Sequence, residues 1–203
     1  MERKSIDHKI SRKPSGAAVI RTDLTDALFR ALFEEWAQTG YAAISLERVA
    51  ARAGAGKAAI YRRWPSKREF ASAAIERSAP GLGGFGDHGS LEADILAYLT
   101  MTRRVLRHPL VRRILPDLHA ERMRSGDLAP LLDHVATTRR TAGQAMLDRA
   151  IARHELRPDI DREFAFDLIP SPLYWRMIVR CRPIGRADLE RQAAVIANAL
   201  RSC

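Results

Sequence analysis

Apolar residues recur along this chain at intervals of three and four, and no run alternates as a strand would. Leu24, Leu28, Ala31, Leu32 and Trp36 form one stripe, widened by Phe29 and Phe33, and predict a helix over Thr22–Thr39. Thr22 or Asp23 supplies its cap, and Gly40 ends it. Leu46, Val49, Ala50 and Ala53 then mark a two-turn helix with Ser45 at its N-cap. Gly54 follows, where a tight turn requires positive φ. Ala55, Ile60 and Trp64 give the apolar face of a third helix, which Pro65 stops. Ser66 opens a fourth, to Ala79.

The remaining pattern is helical too. Ser90 caps a helix carrying Leu91, Ile95, Tyr98, Leu99, Thr102 and Leu106, ended by His108-Pro109. Val111, Ile114, Leu115 and Leu118 predict another, bent or started at Pro116 and broken near Ser125-Gly126. A long helix follows over about Asp127–His154, with Leu131, Leu132, Val135, Ala142, Met146 and Ala150 inward. The next segment is apolar nearly all round: Phe164, Leu168, Trp175 and Ile178, beside Phe166, Ile169, Leu173 and Met177. Pro170 and Pro172 must kink or split it. Leu189, Ala193, Ile196, Ala197 and Leu200 stripe the last helix. The expected fold is all-α, with a small three-helix unit at 21–79 and a larger helical unit at 90–203.

Two helices too short to stand alone, joined by a glycine turn, fit a helix-turn-helix whose second helix enters a DNA major groove. The outward face of that helix carries Lys57, Tyr61, Arg62 and Arg63, with Lys67 just beyond, and no acid occurs from Arg48 to Arg68. Ala58 and Ala59 are small enough for close approach to base edges, and their methyls match a thymine methyl. An ordinary helical hairpin with a solvated basic face has the same periodicity.

Charge sharpens the choice. The formal net charge is +10, from 34 Lys+Arg and 24 Asp+Glu. Residues 1–70 hold 14 basic and 8 acidic side chains, and all five lysines, so charge is densest on the DNA-reading third. The basic stretch 1–20 (Arg3, Lys4, Lys9, Arg12, Lys13) reads as a disordered arm, either following the duplex or simply solvated. Glycines 81, 83 and 86 fit a dinucleotide fingerprint, but a helix and Pro80 precede them instead of a strand, so 80–90 reads as a linker.

The stretch from about Arg21 to Ile75 resembles the DNA-binding domain of the TetR family of bacterial repressors. The likeness rests on Gly40-Tyr41, VAARAG, Ile60-Tyr61-Arg62 and Ser66-Lys67. YRRWPSK, with GSLEADI and PSPLYWRMIVR, is similar to one subgroup of that family. The resemblance implies an all-helical homodimer, a DNA-binding unit of three helices, and a C-terminal ligand-binding and dimerisation domain. Two departures from the family pattern stand out, over three residues. Gly56 replaces a usual polar residue, and Ala58-Ala59 replace a Gly-Thr or similar hydroxyl pair, leaving fewer side-chain hydrogen bonds to DNA.

The expected function is therefore a transcriptional regulator, a repressor, that binds a pseudo-palindromic operator as a homodimer and is released by a small-molecule effector. The rival is a constitutive architectural DNA binder. Lys57 and Arg62 are the expected base readers, and Ser45, Tyr61, Arg63 and Lys67 the phosphate contacts, with Ala58 and Ala59 against the groove. Tyr98, His119, Met123, His134, Phe166 and Trp175 are the candidates to line an effector pocket. Leu168, Leu173, Met177, Leu189, Ala193, Ile196 and Leu200 are the expected dimer seam, unless both helices pack only within their own subunit. No histidine has metal-ligand spacing to a second ligand, and no nucleophile elbow or phosphate loop occurs, so neither catalysis nor a metal nor a cofactor is expected. No run of about 18 apolar residues exists, and the N-terminus lacks a signal-peptide core, so a cytoplasmic protein is expected.

Overall fold

A computed structural model describes residues 16–78, 86–124 and 126–202. All regular structure within them is helical: α1 (Gly16–Thr39), α2 (Leu46–Arg52), α3 (Lys57–Tyr61), α4 (Lys67–Ser78), α5 (Leu91–Leu106), α6 (Pro109–Arg124), α7 (Ala129–Ala152), α8 (Arg162–Leu168), α9 (Ser171–Tyr174), a π-helical turn (Trp175–Val179) and α10 (Arg186–Arg201). Most of the basic arm (1–15), most of the glycine-rich linker (79–85) and Cys203 lie outside the described residues. None of the described helices is long and apolar enough to cross a membrane.

α1 begins at Gly16, upstream of the Thr22 or Asp23 cap that the pattern suggests, so residues 16–20 are helical. Once a helix is nucleated each further residue adds one hydrogen bond, and Ala17 and Ala18 are strong helix formers. Elsewhere the punctuation acts as expected. Ser90 Oγ accepts from Ala93 N–H at 3.2 Å, and Gly40, Gly54 and Gly126 adopt positive φ at the ends of α1, α2 and α6.

Two hydrophobic cores organise the chain. One is built from α1–α4: Leu28, Leu32, Trp36, Val49, Ile60 and Phe70 are at its centre, and Ile114 and Leu118 of α6 with Leu128 and Leu131 complete it. The other joins α5, α7, α8, α9, the π turn and α10, with α10 lying along α5. Pro170 and Pro172 do split the late apolar segment. α8 ends at Leu168, α9 is one turn long, and the chain then widens so that Arg180 N–H reaches Trp175 O at 2.9 Å.

This packing bears on the expected dimer seam. Leu173, Met177, Leu189, Ala193, Ile196 and Leu200 are buried inside their own subunit, and Leu168 packs against the same core. The cause is α5, which covers the apolar stripe of α10. The same helices leave other apolar side chains outside: Phe164 is 46% exposed, Trp175 58%, Val179 52% and Val195 65%. Phe164, Trp175 and Val179 lie on the outer side of α8 and the π turn.

Candidate nucleic-acid interface and effector cavity

The helix-turn-helix is assembled from unequal halves. α2 is held at both ends by side chains. Ser45 Oγ accepts from Arg48 N–H at 3.3 Å, closing the first turn. Glu35 of α1, 1% exposed, accepts from Arg48 Nε at 2.7 Å and pairs with Arg52 Nη2 at 3.5 Å. The hydrogen bond from Arg48 lowers the Glu35 carboxyl below its ordinary pKa, against the opposing effect of burial. Leu46, Val49 and Ala50 are buried beneath it.

α3 has fewer supports. Its N-cap is Gly56, which offers no side-chain acceptor. Ile60 is its one buried residue, at 0% exposure. The exit is held by rings: Trp64 lies 5.2 Å from Phe29 and 4.6 Å from Phe70, centroid to centroid. Arg63 Nη1 donates to Thr25 Oγ1 at 2.9 Å, bracing the exit on α1. Lys67 Nζ donates to the carbonyls of Tyr41 and Ala42 at 2.9 and 3.1 Å, and stands 4.5 Å from the Tyr41 ring centroid.

These contacts sort the expected DNA residues. Lys57, Ala58, Tyr61 and Arg62 are exposed on α3 and at its exit, Ala59 is half-buried, and Arg62 has no ion pair among the described residues. Ser45, Arg63 and Lys67 are already engaged in holding the motif together. Lys57 is also engaged: it forms an ion pair with Glu47 of α2 and lies 5.5 Å from the Tyr61 ring centroid. The pairing raises the Lys57 pKa and lowers that of Glu47. Glu47 is the residue that sequence reasoning missed, and its position just before the acid-free run was the available signal.

A second missed residue ties this unit to the rest. Asp117 of α6 accepts from Trp36 Nε1 at 2.7 Å and from Tyr41 N–H at 2.8 Å. Gly40, at φ +77, lets the chain turn here, and a Cβ added at this position would stand 3.3 Å from Asp117 Oδ1. Burial pushes the adjoining Tyr41 phenol up to about 12.

The larger unit contains a cavity of about 200 Å³ between α5, α7 and α8. Tyr98 and Phe166, both expected pocket residues, line it with Met146 and Ile169, and Arg139 and Arg140 stand among the lining residues. The other four candidates lie elsewhere. Met123 is 86% exposed, because two residues past buried Glu121 is about 200° round the helix. His134 is exposed on the first half of α7, where Leu131 is the one buried residue. Trp175 faces outward, and His119 packs edge-on to Tyr174 at 5.8 Å. No group of His, Cys, Asp and Glu among the described residues is arranged to hold a metal.

Comparison with known proteins places this geometry. Residues 28–74 match the family described as bacterial regulatory proteins, tetR family, and residues 85–196 match the tetracyclin repressor-like C-terminal domain. A DNA-binding transcriptional repressor, TetR, of Mycobacteroides abscessus is 31% identical over 153 residues, spanning 74% of this chain and 80% of that repressor. An uncharacterised HTH-type transcriptional regulator of Mycobacterium bovis is 32% identical over 173 residues, 84% of this chain and 82% of its own. The solved structure of GusR from Salmonella enterica shares the fold with a TM-score of 0.71 at 20% identity, covering 89% of this chain and 96% of GusR.

Proposed function

From the membership of this chain in the TetR family of DNA-binding transcription regulators, which is not an enzyme class, we propose that it is a repressor acting as a homodimer on a pseudo-palindromic operator. The observation that carries this reading is the exposed face of α3, where Lys57, Ala58, Tyr61 and Arg62 stand clear of the core on a helix anchored by Ile60 and Trp64. Lys57 and Arg62 reach base edges once Lys57 exchanges Glu47 for DNA, and Tyr61 meets phosphate. Ser45, Arg63 and Lys67 position the motif, and phosphate contact is a second use of the same groups. The name of the M. abscessus relative supports repression. The likeness of YRRWPSK to one subgroup of the family supports assigning the chain to that subgroup.

The dimer forms through the outer face of α8, the π turn and α10, where Phe164, Trp175, Val179 and Val195 present apolar surface to solvent in a single subunit. Trp175→Asp and Val195→Asp are therefore the variants expected to yield folded monomers. Ile196→Asp and Leu200→Asp would place a charge in the subunit's own core and unfold it. An effector enters the α5/α7/α8 cavity and favours a subunit arrangement in which the two α3 helices no longer match successive major grooves.

Selection of bound duplexes from a random pool tests the reading. A two-fold symmetric motif is expected, with base preference relaxed in Lys57→Ala and affinity for all sequences reduced in Tyr61→Phe. A pool that enriches no motif would overturn it in favour of an architectural DNA binder.

A further inference from the structure

The cavity between α5, α7 and α8 has an apolar floor and a cationic side. Tyr98, Met146, Phe166 and Ile169 form the floor, and Met146 and Ile169 are buried. Arg140 is tethered through one nitrogen only. Its Nη2 meets Glu163 at 2.9 Å and Asp167 at 3.6 Å, and both acids are largely exposed, at 68% and 78%. Its Nε is buried and has no hydrogen-bond partner. That nitrogen is closed to the cavity as well, so a ligand there meets the rest of the guanidinium, on a side chain that is 41% exposed. Arg139, the next residue, is exposed and has no ion pair among the described residues. Two guanidinium groups therefore stand at the cavity, one incompletely satisfied and one unpaired.

Size adds a limit. At about 200 Å³ the cavity is smaller than the ~300–1,000 Å³ that drug-sized ligands occupy. The Phe166 ring sets this size: it closes directly over Gly143 of α7, where an added Cβ would come within 2.7 Å of its Cε1. Gly143, an unfavourable residue in a helix interior, is needed to admit the ring.

We propose that this cavity binds a small organic anion, an apolar or aromatic monocarboxylate, whose carboxylate is held by the Arg139 and Arg140 guanidinium groups while its hydrocarbon part lies on Phe166, Met146 and Ile169. A carboxylate makes charge-assisted hydrogen bonds to guanidinium and takes the place of the long Asp167 contact. A cationic ligand would meet two arginines against one acid, Asp167, among the lining residues. The inference rests on the reading of this cavity as the effector site but concerns its chemistry alone.

The test uses three probes of nearly equal shape, 4-fluorobenzoate, 4-fluorobenzamide and 4-fluorobenzylammonium, each titrated into the full-length protein without DNA and followed by fluorine NMR. Benzoate is expected to bind at least about tenfold more tightly than the amide, and the ammonium not to bind. Arg140→Gln should bring benzoate down to the amide's affinity. Arg139→Gln, at an exposed position that leaves the fold intact, should weaken benzoate several-fold and the amide not at all. Equal affinity for benzoate and amide, preference for the ammonium, or binding of none of the three would overturn the proposal. So would benzoate binding that both arginine variants leave unchanged. Operator affinity is measured separately. Benzoate that binds through Arg140 without altering operator affinity supports the assigned chemistry and removes the effector role. Release of operator by the ammonium probe alone keeps the effector role and overturns the chemistry.

Discussion

α2 and α3 are neighbours in one motif, yet they are stabilised in opposite ways. α2 has more supports: a serine cap, three buried side chains and the buried Glu35 carboxylate of α1, which gathers Arg48 and Arg52. α3 has a glycine cap and one buried side chain, and is otherwise held from outside by the Trp64–Phe29–Phe70 rings and the Arg63 and Lys67 braces. The difference follows from use. A helix that must present nearly its whole surface to a groove has little left to bury, so its order has to be supplied by the elements on either side.

The comparison breaks most sharply at Ile60. Ile60→Ala should cost about 2–5 kcal/mol in urea unfolding and abolish operator binding. Val49→Ala is its counterpart in α2 and leaves Leu46 and Ala50 in place. Amide exchange across residues 57–61 should therefore accelerate more in the first variant than exchange across 46–52 in the second. Equal acceleration would show that α3 is supported as α2 is.

Next comes the buried carboxylate. Glu35→Gln should cost about 2 kcal/mol by replacing charged hydrogen bonds with neutral ones. Because the folded pKa is lowered, this contribution is complete above the ordinary value of 4.5 and is lost as pH falls through the folded value. Melting temperatures of wild type and variant should differ at neutral pH and converge on acidification. A constant difference would remove the charge from the account.

Capping gives a smaller contrast. Ser45→Ala should cost about 1 kcal/mol, whereas Gly56→Ser should add only a few tenths, since glycine is itself a tolerable cap and its extended backbone accepts a side chain without contact. Differential scanning calorimetry of the pair reads both signs. The smallest stability effect belongs to Glu47→Gln, which is expected to leave the melting temperature unmoved. It should instead tighten DNA binding by freeing Lys57, and gel shifts at several salt concentrations would reveal this.

Much of this was legible in the chain. The helices of the reading unit, the glycine turn and the Ser45 and Ser90 caps are local features, encoded by spacing and short-range hydrogen bonds. The split at Pro170 and Pro172 is local too. What was not legible depends on partners distant in sequence. Glu35 and Asp117 look like surface acids in a helical pattern, and only the packing of α2 and α6 on α1 makes them joints. The apolar segment from Phe164 to Val179 shows the limit most clearly. Nearly every position there is hydrophobic, so periodicity cannot say which face α5 and α10 will cover, and most residues expected at the seam are buried within the subunit. Of the expected pocket residues, Tyr98 and Phe166 come together because α5 and α8 meet across α7, and nothing in the spacing of Met123 or His134 distinguished them from these.

The shared acceptor at Asp117 also bears on heredity. A chain cut after Ser78 would keep α1–α4 but leave the Trp36 indole N–H and the Tyr41 amide without their acceptor, and would strip Ile114, Leu118, Leu128 and Leu131 from the core they complete. The reading unit is thus not a freely transplantable cassette. A recombination that grafts a foreign reader onto this larger helical half must bring a matching α6 surface with it, or breed the two back into fit. Substitutions at Trp36 and Asp117, whose side chains meet directly, should therefore travel together through descent, as a lock is inherited with its key.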